Sequence, residues 1–238
     1  VEDLHIALHV IAGVDWRDAA VVPMPLRDPK TVDVKKLRVA FHTDNGIAAA
    51  TPATVKVVKQ AAETLAREVE AMEEHRPPEI DKTYELYLGL FAADGGAGIK
   101  ALLREAGTKE IHPLMQEVLE IQRSNRKSIE DFGALVVRWD GFRAAMLGFM
   151  EEFDAVLGPV CAFPGMEHGS TYKKLSAFSY TMTFNLTGWP AAVVRAGTSP
   201  EGLPIGVQIA ARPWREDVAL AVAELIEKAL GGYQRPPI

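Results

Sequence analysis

The sequence has one cysteine, no long apolar run and no excess of positive charge. Because Cys161 has no second cysteine to pair with, an internal disulfide is excluded and a reducing compartment is expected. No apolar run approaches the roughly 20 residues that a membrane-spanning helix requires. The net charge is -6 and the charges are dispersed along the chain, which argues against a nucleic-acid surface. We therefore expect a cytoplasmic protein with no membrane and no nucleic acid among its partners.

The sequence also offers little for binding a metal or a cofactor. His5 and His9 are four residues apart, as two ligands on one helix face would be, but no third ligand has a suitable spacing. The segment Gly95–Gly98 follows a helical pattern instead of a strand, so it does not fit a phosphate loop. Cys161 lacks a surrounding Cys-His signature and is expected to be a buried thiol. We expect no metal and no cofactor.

Four segments have the composition of β-strands. Leu37–Phe41 and Ala155–Val160 are short apolar runs, and Ala191–Ala196 and Pro204–Ala210 flank a turn rich in Gly, Pro and Ser. The last two are apolar almost throughout, which predicts paired strands covered on both faces. Gln208 would then be buried and would need hydrogen-bond partners. The predicted fold class is α/β, with a mixed, largely buried β-sheet flanked by helices.

The helices are predicted from apolar residues at helical spacing. Residues 79–150 are mostly helical by this criterion. Asp44 and Asn45 follow the first strand, where open α/β sheets bind ligands, with turn formation as the alternative. The predicted helices run from Val1 to Ile11, from Pro52 to Val69, from Ser128 to Phe153, from Leu175 to Leu186 and from Glu216 to Leu230.

One long, ordered pattern resembles a known family. It begins with Asn-Leu-Thr-Gly-Trp-Pro-Ala at Asn185–Ala191, continues through Gly202–Gln208 and ends at Arg212-Pro213. Its order and spacing resemble the C-terminal end of the amidase signature family. Earlier stretches are similar to the same family in the same order, so that the likeness covers roughly residues 1–70 and 138–230.

The resemblance implies a chemistry whose reacting groups this chain lacks. The family uses a nucleophilic Ser, a second Ser in a cis peptide and a Lys as the base, all within a Gly/Ser-rich segment. This chain has only Gly169-Ser170, without the surrounding glycines, so no catalytic residue is assigned. We expect residues 1–238 to be the C-terminal portion of one amidase-like domain, with 77–150 as a variable helical insertion. Without the nucleophile half, the chain alone is expected to be inactive.

The resemblance also implies that this half supplies part of the pocket wall for a small-molecule amide. By helix placement, the candidates are Phe178, Thr181 and Met182, on the helix predicted from Leu175 to Leu186. Trp139 and Phe142, on the longest predicted helix, are further candidates. Simple core packing is the alternative for each of these five side chains.

Two other functions stay open. The A subunit of glutamyl-tRNA(Gln) amidotransferase resembles the same pattern, but such subunits have an acidic residue at the position of Phe178, seven before Asn185. A non-catalytic, degenerate amidase-like module is the third reading, and the absent nucleophile segment favours it. Half of a buried sheet also leaves strand edges and apolar surface uncovered. We therefore expect a partner, either the missing half or a second copy in a homo-oligomer.

Overall fold

A five-stranded mixed sheet forms the centre of the computed structural model, which describes residues 1–235. The last three residues of the predicted domain, 236–238, lie outside the described residues. The strands are β1 (Arg38–Phe41), β2 (Ala71–Glu74), β3 (Ala155–Pro159), β4 (Ala191–Thr198) and β5 (Pro204–Ala211). Their order across the sheet is β2-β1-β3-β5-β4. Strand β1 is parallel to β2 and β3, whereas β5 is antiparallel to β3 and β4, which confirms the predicted fold class.

Helices cover both faces of this sheet. Within residues 1–235 they are α1 (Glu2–Ile11), α2 (Pro52–Leu65), α3 (Thr83–Phe91), α4 (Ala97–Glu105), α5 (Pro113–Ser124), α6 (Ile129–Phe149), α7 (Ser179–Thr187) and α8 (Glu216–Leu230). Helices α2 and α8 form a first core with one face of the sheet. Helices α3, α6 and α7 form a second core with the other face. None of the helices in the described residues combines the length and the apolar composition needed to cross a membrane.

Side chains along β5 point alternately to the two faces of the sheet, and apolar side chains on both sides explain why helices cover both faces. Val207 and Ile209 are fully buried in the first core, against α2 and α8. Ala210 points to the opposite face and packs in the second core. Gln208 is also buried, and its Nε2 donates a hydrogen bond to the main-chain oxygen of Tyr180, 3.3 Å away. The predicted need of Gln208 for a partner is thereby confirmed.

The structure contains the four predicted strands and a fifth, β2, which has no strand pattern in its sequence. Its four residues, Ala-Met-Glu-Glu, lack the β-branched and aromatic side chains that mark strands. The strand forms because each residue from Ala71 to Glu74 pairs in register with β1. It lies at the edge of the sheet, where exposed Glu73 and Glu74 suit a strand with only one neighbour.

Three helix boundaries also differ from the predictions. Helix α2 starts at Pro52 as expected, but it ends at Leu65 instead of Val69. Helix α6 starts after the Ser128 cap as expected, but it ends at Phe149 instead of Phe153. The chain must leave the helix there, because the N–H of Asp154 already donates to the carbonyl of Arg38 on β1, 2.8 Å away. The segment Thr171–Phe178 is a 3₁₀ helix with a non-helical break at Lys174, so the α-helix starts only at Ser179.

Gly188 and Gly206, both within the pattern that resembles the amidase signature family, occupy positions where a side chain is disfavoured. Gly188 caps the end of α7 with φ +70°, a left-handed conformation that disfavours side chains. At Gly206, an added Cβ would lie 3.2 Å from Cγ1 of Val193. Gly→Val at either position is therefore expected to lower the free energy of unfolding by more than about 1 kcal/mol.

Thermal melting checks this expectation, with Gly133→Val as the control. Gly133 lies within α6, and a Cβ there would meet nothing within 4 Å. The control is expected to melt close to the unaltered chain. Equal melting temperatures for all four proteins would contradict the structural role of both glycines.

Candidate functional site

The candidate site lies at the carboxyl ends of β1 and β3. These strands are adjacent and parallel, with Phe41 opposite Leu157, so that the chain leaves both at the same edge of the sheet. In open α/β sheets, this edge is where ligands bind. The residues that follow the two strands, and the start of α7 above them, form a cluster of polar side chains. The cluster comprises His42, Asp44, Asn45, Cys161, Ser179 and Tyr180.

His42 is the first residue after β1 and is 5% exposed. Its Nδ1 lies 3.1 Å from the carbonyl oxygen of Asp44, and because a carbonyl can only accept, Nδ1 carries the hydrogen. The ring stacks on Tyr180, with 6.2 Å between the ring centroids. An added Cβ at Gly158 would lie only 2.9 Å from Nε2. The absence of a side chain at Gly158 is what leaves room for the imidazole.

The environment of His42 keeps the ring neutral. Burial is the main cause that lowers its pKa to about 4, and the positive charge of Arg76 acts in the same direction. The hydrogen bond to the main chain of Asp44 opposes this shift only partly. A general base works best with a pKa near the working pH. His42 is therefore suited to packing and orientation rather than to removing a proton from a nucleophile.

Asn45 joins the loop after β1 to the first residue of α7. It has no exposed surface, and its Nδ2 donates to Oγ of Ser179 at 2.7 Å. Its Oδ1 accepts from the N–H groups of Ile47 at 3.1 Å and Ala48 at 3.3 Å. Asp44 stabilises the adjacent turn, because its Oδ1 accepts a hydrogen bond from the N–H of Gly46 at 2.8 Å. Both side chains thus serve the turn in this structure, and a ligand role for them stays a prediction.

Tyr180 and Cys161 complete the cluster without supplying a nucleophile. The hydroxyl of Tyr180 donates to the carbonyl of Ala48 at 2.7 Å, and burial raises its pKa to about 12. Cys161 is half-buried, and burial raises the pKa of its thiol. Because the thiolate is the reactive form, a raised pKa makes Cys161 a poor nucleophile. This result agrees with the predicted inert thiol, although the side chain is only partly buried.

The five predicted pocket residues fall into two groups. Phe178 and Thr181 lie together at the start of α7, where Oγ1 of Thr181 donates to the carbonyl of Phe178 at 2.9 Å. Phe178 also lines a cleft of about 410 Å³, whose other walls are Leu114, Gly169, Thr171, Tyr172 and Leu175. Met182, one turn further, is 5% exposed.

Trp139 and Phe142 lie on α6, in the second core rather than in the cleft beside Phe178. Phe142 is 3% exposed, and the indole Nε1 of Trp139 donates to the carbonyl of Leu186 at 2.8 Å. The structure therefore does not bring all five side chains to one surface. Whether any of them contacts a substrate stays a prediction.

Sequence reasoning missed His42, Ser179 and Tyr180. A signal for His42 was present, because it stands directly after a predicted strand, at the position where ligand-binding residues occur. Ser179 and Tyr180 had no such signal, since their partners in the cluster are more than 100 residues away in the chain.

The His5–His9 pair has an ordinary structural explanation. The two rings meet edge to face with centroids 4.5 Å apart, and Nδ1 of His9 donates to the carbonyl of His5 at 3.0 Å. Within residues 1–235, no group of three or more His, Cys, Asp or Glu side chains is placed to hold a metal ion.

A family model described as Amidase matches residues 1–220. The chain belongs to the amidase family. The indoleacetamide hydrolase of Bradyrhizobium japonicum is 27% identical over an alignment of 242 positions, which covers 97% of this chain and 50% of that protein. The A subunit of glutamyl-tRNA(Gln) amidotransferase of Geobacter metallireducens is 27% identical over 260 residues, covering 96% of this chain and 53% of that protein.

Solved structures agree with this membership at the level of the fold. The structure of 6-aminohexanoate cyclic dimer hydrolase with its substrate superposes on 99% of this amidase-family chain and on 54% of its own, with a TM-score of 0.81 and 23% identity. The chain thus spans about half the length of the relatives that it matches.

Proposed function

We propose that this chain forms the substrate-pocket half of an amidase that hydrolyses a small carboxylic amide. The observation that carries the proposal is the combination of a family match over residues 1–220 with a strand-end cluster that holds no activated nucleophile. A neutral His42 and a protonated Cys161 leave the reacting groups to the other half of the fold. By the resemblance, those groups are a nucleophilic Ser, a cis-peptide Ser and a Lys.

The proposed reaction divides the work between two halves. The serine oxygen forms a bond to the amide carbonyl carbon while its proton passes to the neutral lysine. The carbon–nitrogen bond then breaks, the leaving amine takes that proton, and water releases the acid from the acyl-enzyme. This half would hold the acyl group beside Phe178 and Thr181, which the Asn45–Ser179 hydrogen bond keeps next to the sheet edge.

The chain alone is expected to hydrolyse no amide. The measurement is turnover of a panel of aryl and aliphatic amides, indole-3-acetamide among them, by the purified chain. The same panel is tested after mixing with the half of the Bradyrhizobium indoleacetamide hydrolase that this chain does not match. Turnover is expected only in the mixture.

Two variants control for an unforeseen nucleophile. Turnover by the chain alone that disappears on Cys161→Ala or Ser170→Ala would contradict the proposal and place the chemistry within this half. No turnover in the mixture, despite complex formation, would instead favour a non-catalytic amidase-like module.

An amidotransferase A subunit is the second candidate, because one such subunit is as similar to this chain as the indoleacetamide hydrolase is. The cleft beside α7 argues against it. Its walls, which include Phe178, Leu175 and Leu114, carry no charged side chain to bind the amino group of glutamine. If the mixture hydrolysed glutamine to release ammonia faster than it hydrolysed the simple amides, the amidotransferase subunit would become the better proposal.

A further inference from the structure

The first turn of helix α7 is held by distant elements rather than by a local cap. Among the described residues, no side chain caps the N-terminus of α7, and the 3₁₀ segment before it is broken at Lys174. A helix start that lacks a capping side chain is less stable than a capped one. The start of α7 is nevertheless buried, because Ser179 is 0% and Tyr180 is 1% exposed. Contacts from elsewhere in the fold therefore fix it.

Tyr180 makes three of these contacts, each with a different group. Its hydroxyl donates to the carbonyl of Ala48, in the loop after β1, at 2.7 Å. Its ring stacks on His42, the first residue after β1, with 13° between the ring planes. Its main-chain carbonyl accepts from Nε2 of Gln208 on β5 at 3.3 Å. One residue thereby connects α7 to a strand of the sheet and to the loop that follows another strand.

Tyr180 is also the largest buried side chain in the apolar cluster at the start of α7. In residues 1–235 this cluster has three buried members, Ala162, Ala177 and Tyr180, against which Cys161 and Phe163 pack half-buried. A buried aromatic side chain removes roughly 150–250 Å² of surface from water, and an alanine removes far less. The apolar burial at this end of α7 therefore depends mainly on Tyr180.

The residues on either side of Tyr180 belong to the proposed pocket. Phe178 lines the cleft of about 410 Å³, and Oγ1 of Thr181 donates to the carbonyl of Phe178 at 2.9 Å. Tyr180 itself is not among the residues that line this cleft. It can therefore affect a bound amide only through the placement of its neighbours.

We propose that Tyr180 is a positioning residue for the amide pocket, because its contacts set where Phe178 and Thr181 stand relative to the sheet edge. The proposal rests on the proposed function, in which this half holds the acyl group. The other end of α7 has separate support, since Phe184 and Leu186 are buried in the second core. Loss of the Tyr180 contacts is therefore expected to loosen the first turn of α7 and to leave its last turn in place.

Hydrogen exchange of the chain alone tests whether Tyr180 holds the first turn. Tyr180→Phe removes only the hydroxyl, and Gln208→Leu removes the amide group that donates to the Tyr180 carbonyl. In both variants, amides 183–186, which bond to the carbonyls of the first turn, are expected to exchange at least about fivefold faster. The amides of α8 are the internal control, because a general loss of stability would speed their exchange as well. No change at 183–186, or an equal change in α8, would overturn the proposal.

Kinetics of the mixture with the unmatched half of the Bradyrhizobium indoleacetamide hydrolase test whether this placement matters for the substrate. A loosened wall weakens substrate binding but leaves the reacting groups of the other half unaltered. Tyr180→Phe and Gln208→Leu are therefore expected to raise KM for indole-3-acetamide at least about fivefold, with kcat within about twofold. Thr83→Val is the control, because this buried hydroxyl on α3 bonds to Thr183, further along α7, at 2.9 Å. The control is expected to keep the KM of the unaltered chain.

The kinetic outcomes separate this proposal from the proposed function. Turnover with an unchanged KM in both variants, or with an equal rise of KM in Thr83→Val, would leave the proposed function standing and overturn the positioning role of Tyr180. A fall in kcat at unchanged KM would overturn that role as well. No turnover in any mixture, with the unaltered chain included, would overturn the proposed function itself. Faster exchange at 183–186 would then identify Tyr180 as a structural residue only.

Discussion

Asn45→Ala is expected to lower the free energy of unfolding by about 3 kcal/mol, more than any other single truncation in the polar cluster. Asn45 is fully buried and makes three hydrogen bonds, one as a donor to Ser179 and two as an acceptor from Ile47 and Ala48. An alanine would leave these three groups without that partner, and of the three the Ser179 hydroxyl belongs to a fully buried residue. Chemical denaturation at neutral pH gives the measurement.

A double-mutant cycle isolates the contact that matters for the pocket. Ser179→Ala and the double variant are measured beside Asn45→Ala, and a coupling of about 1 kcal/mol is expected from the 2.7 Å hydrogen bond. Asn125→Ala is the control, because that half-buried side chain makes a single bond to Ile121 at the end of α5. A cost at Asn45 no larger than at Asn125 would show that the loop does not depend on this network.

The elements that the sequence predicts well are those with local signals at both ends. Helix α8 has the predicted bounds, because acidic residues form its first turn, apolar residues at helical spacing follow from Val218, and Gly231 ends it with φ +81°. The β4–β5 hairpin is likewise defined by its apolar strands and by the turn between them. Each of these signals lies within a few residues of the element that it determines.

The parts that escape prediction depend on contacts distant in the chain. Strand β2 is a strand only because β1 offers it backbone partners, and its own residues suit a helix or a turn equally well. The Asn45–Ser179 bond joins residues 134 positions apart. Periodicity and composition carry no information about such pairs, so the candidate site emerges only after the sheet is assembled.

Because of the pKa of His42, the stability of the fold is expected to depend on pH. The folded-state pKa of about 4 lies below the ordinary value of 6.5, because burial and the positive charge of Arg76 lower it more than Asp44 raises it. The ring also stacks on Tyr180. The unfolded chain therefore binds the proton more tightly than the folded chain does. The stabilisation is complete above about pH 6.5 and is lost as the pH falls toward about pH 4.

The expected loss of unfolding free energy between pH 7 and pH 5 is about 2 kcal/mol from His42. His42→Phe keeps a ring beside Tyr180 but cannot titrate, so this variant is expected to be less stable at pH 7 and to depend much less on pH over that interval. The control is His168→Gln, at an exposed position, which should keep the full pH dependence. Denaturation midpoints at several pH values give the measurement. If the midpoint of His42→Phe depended on pH as strongly as that of the unaltered chain, other groups would cause the acid sensitivity and His42 would not.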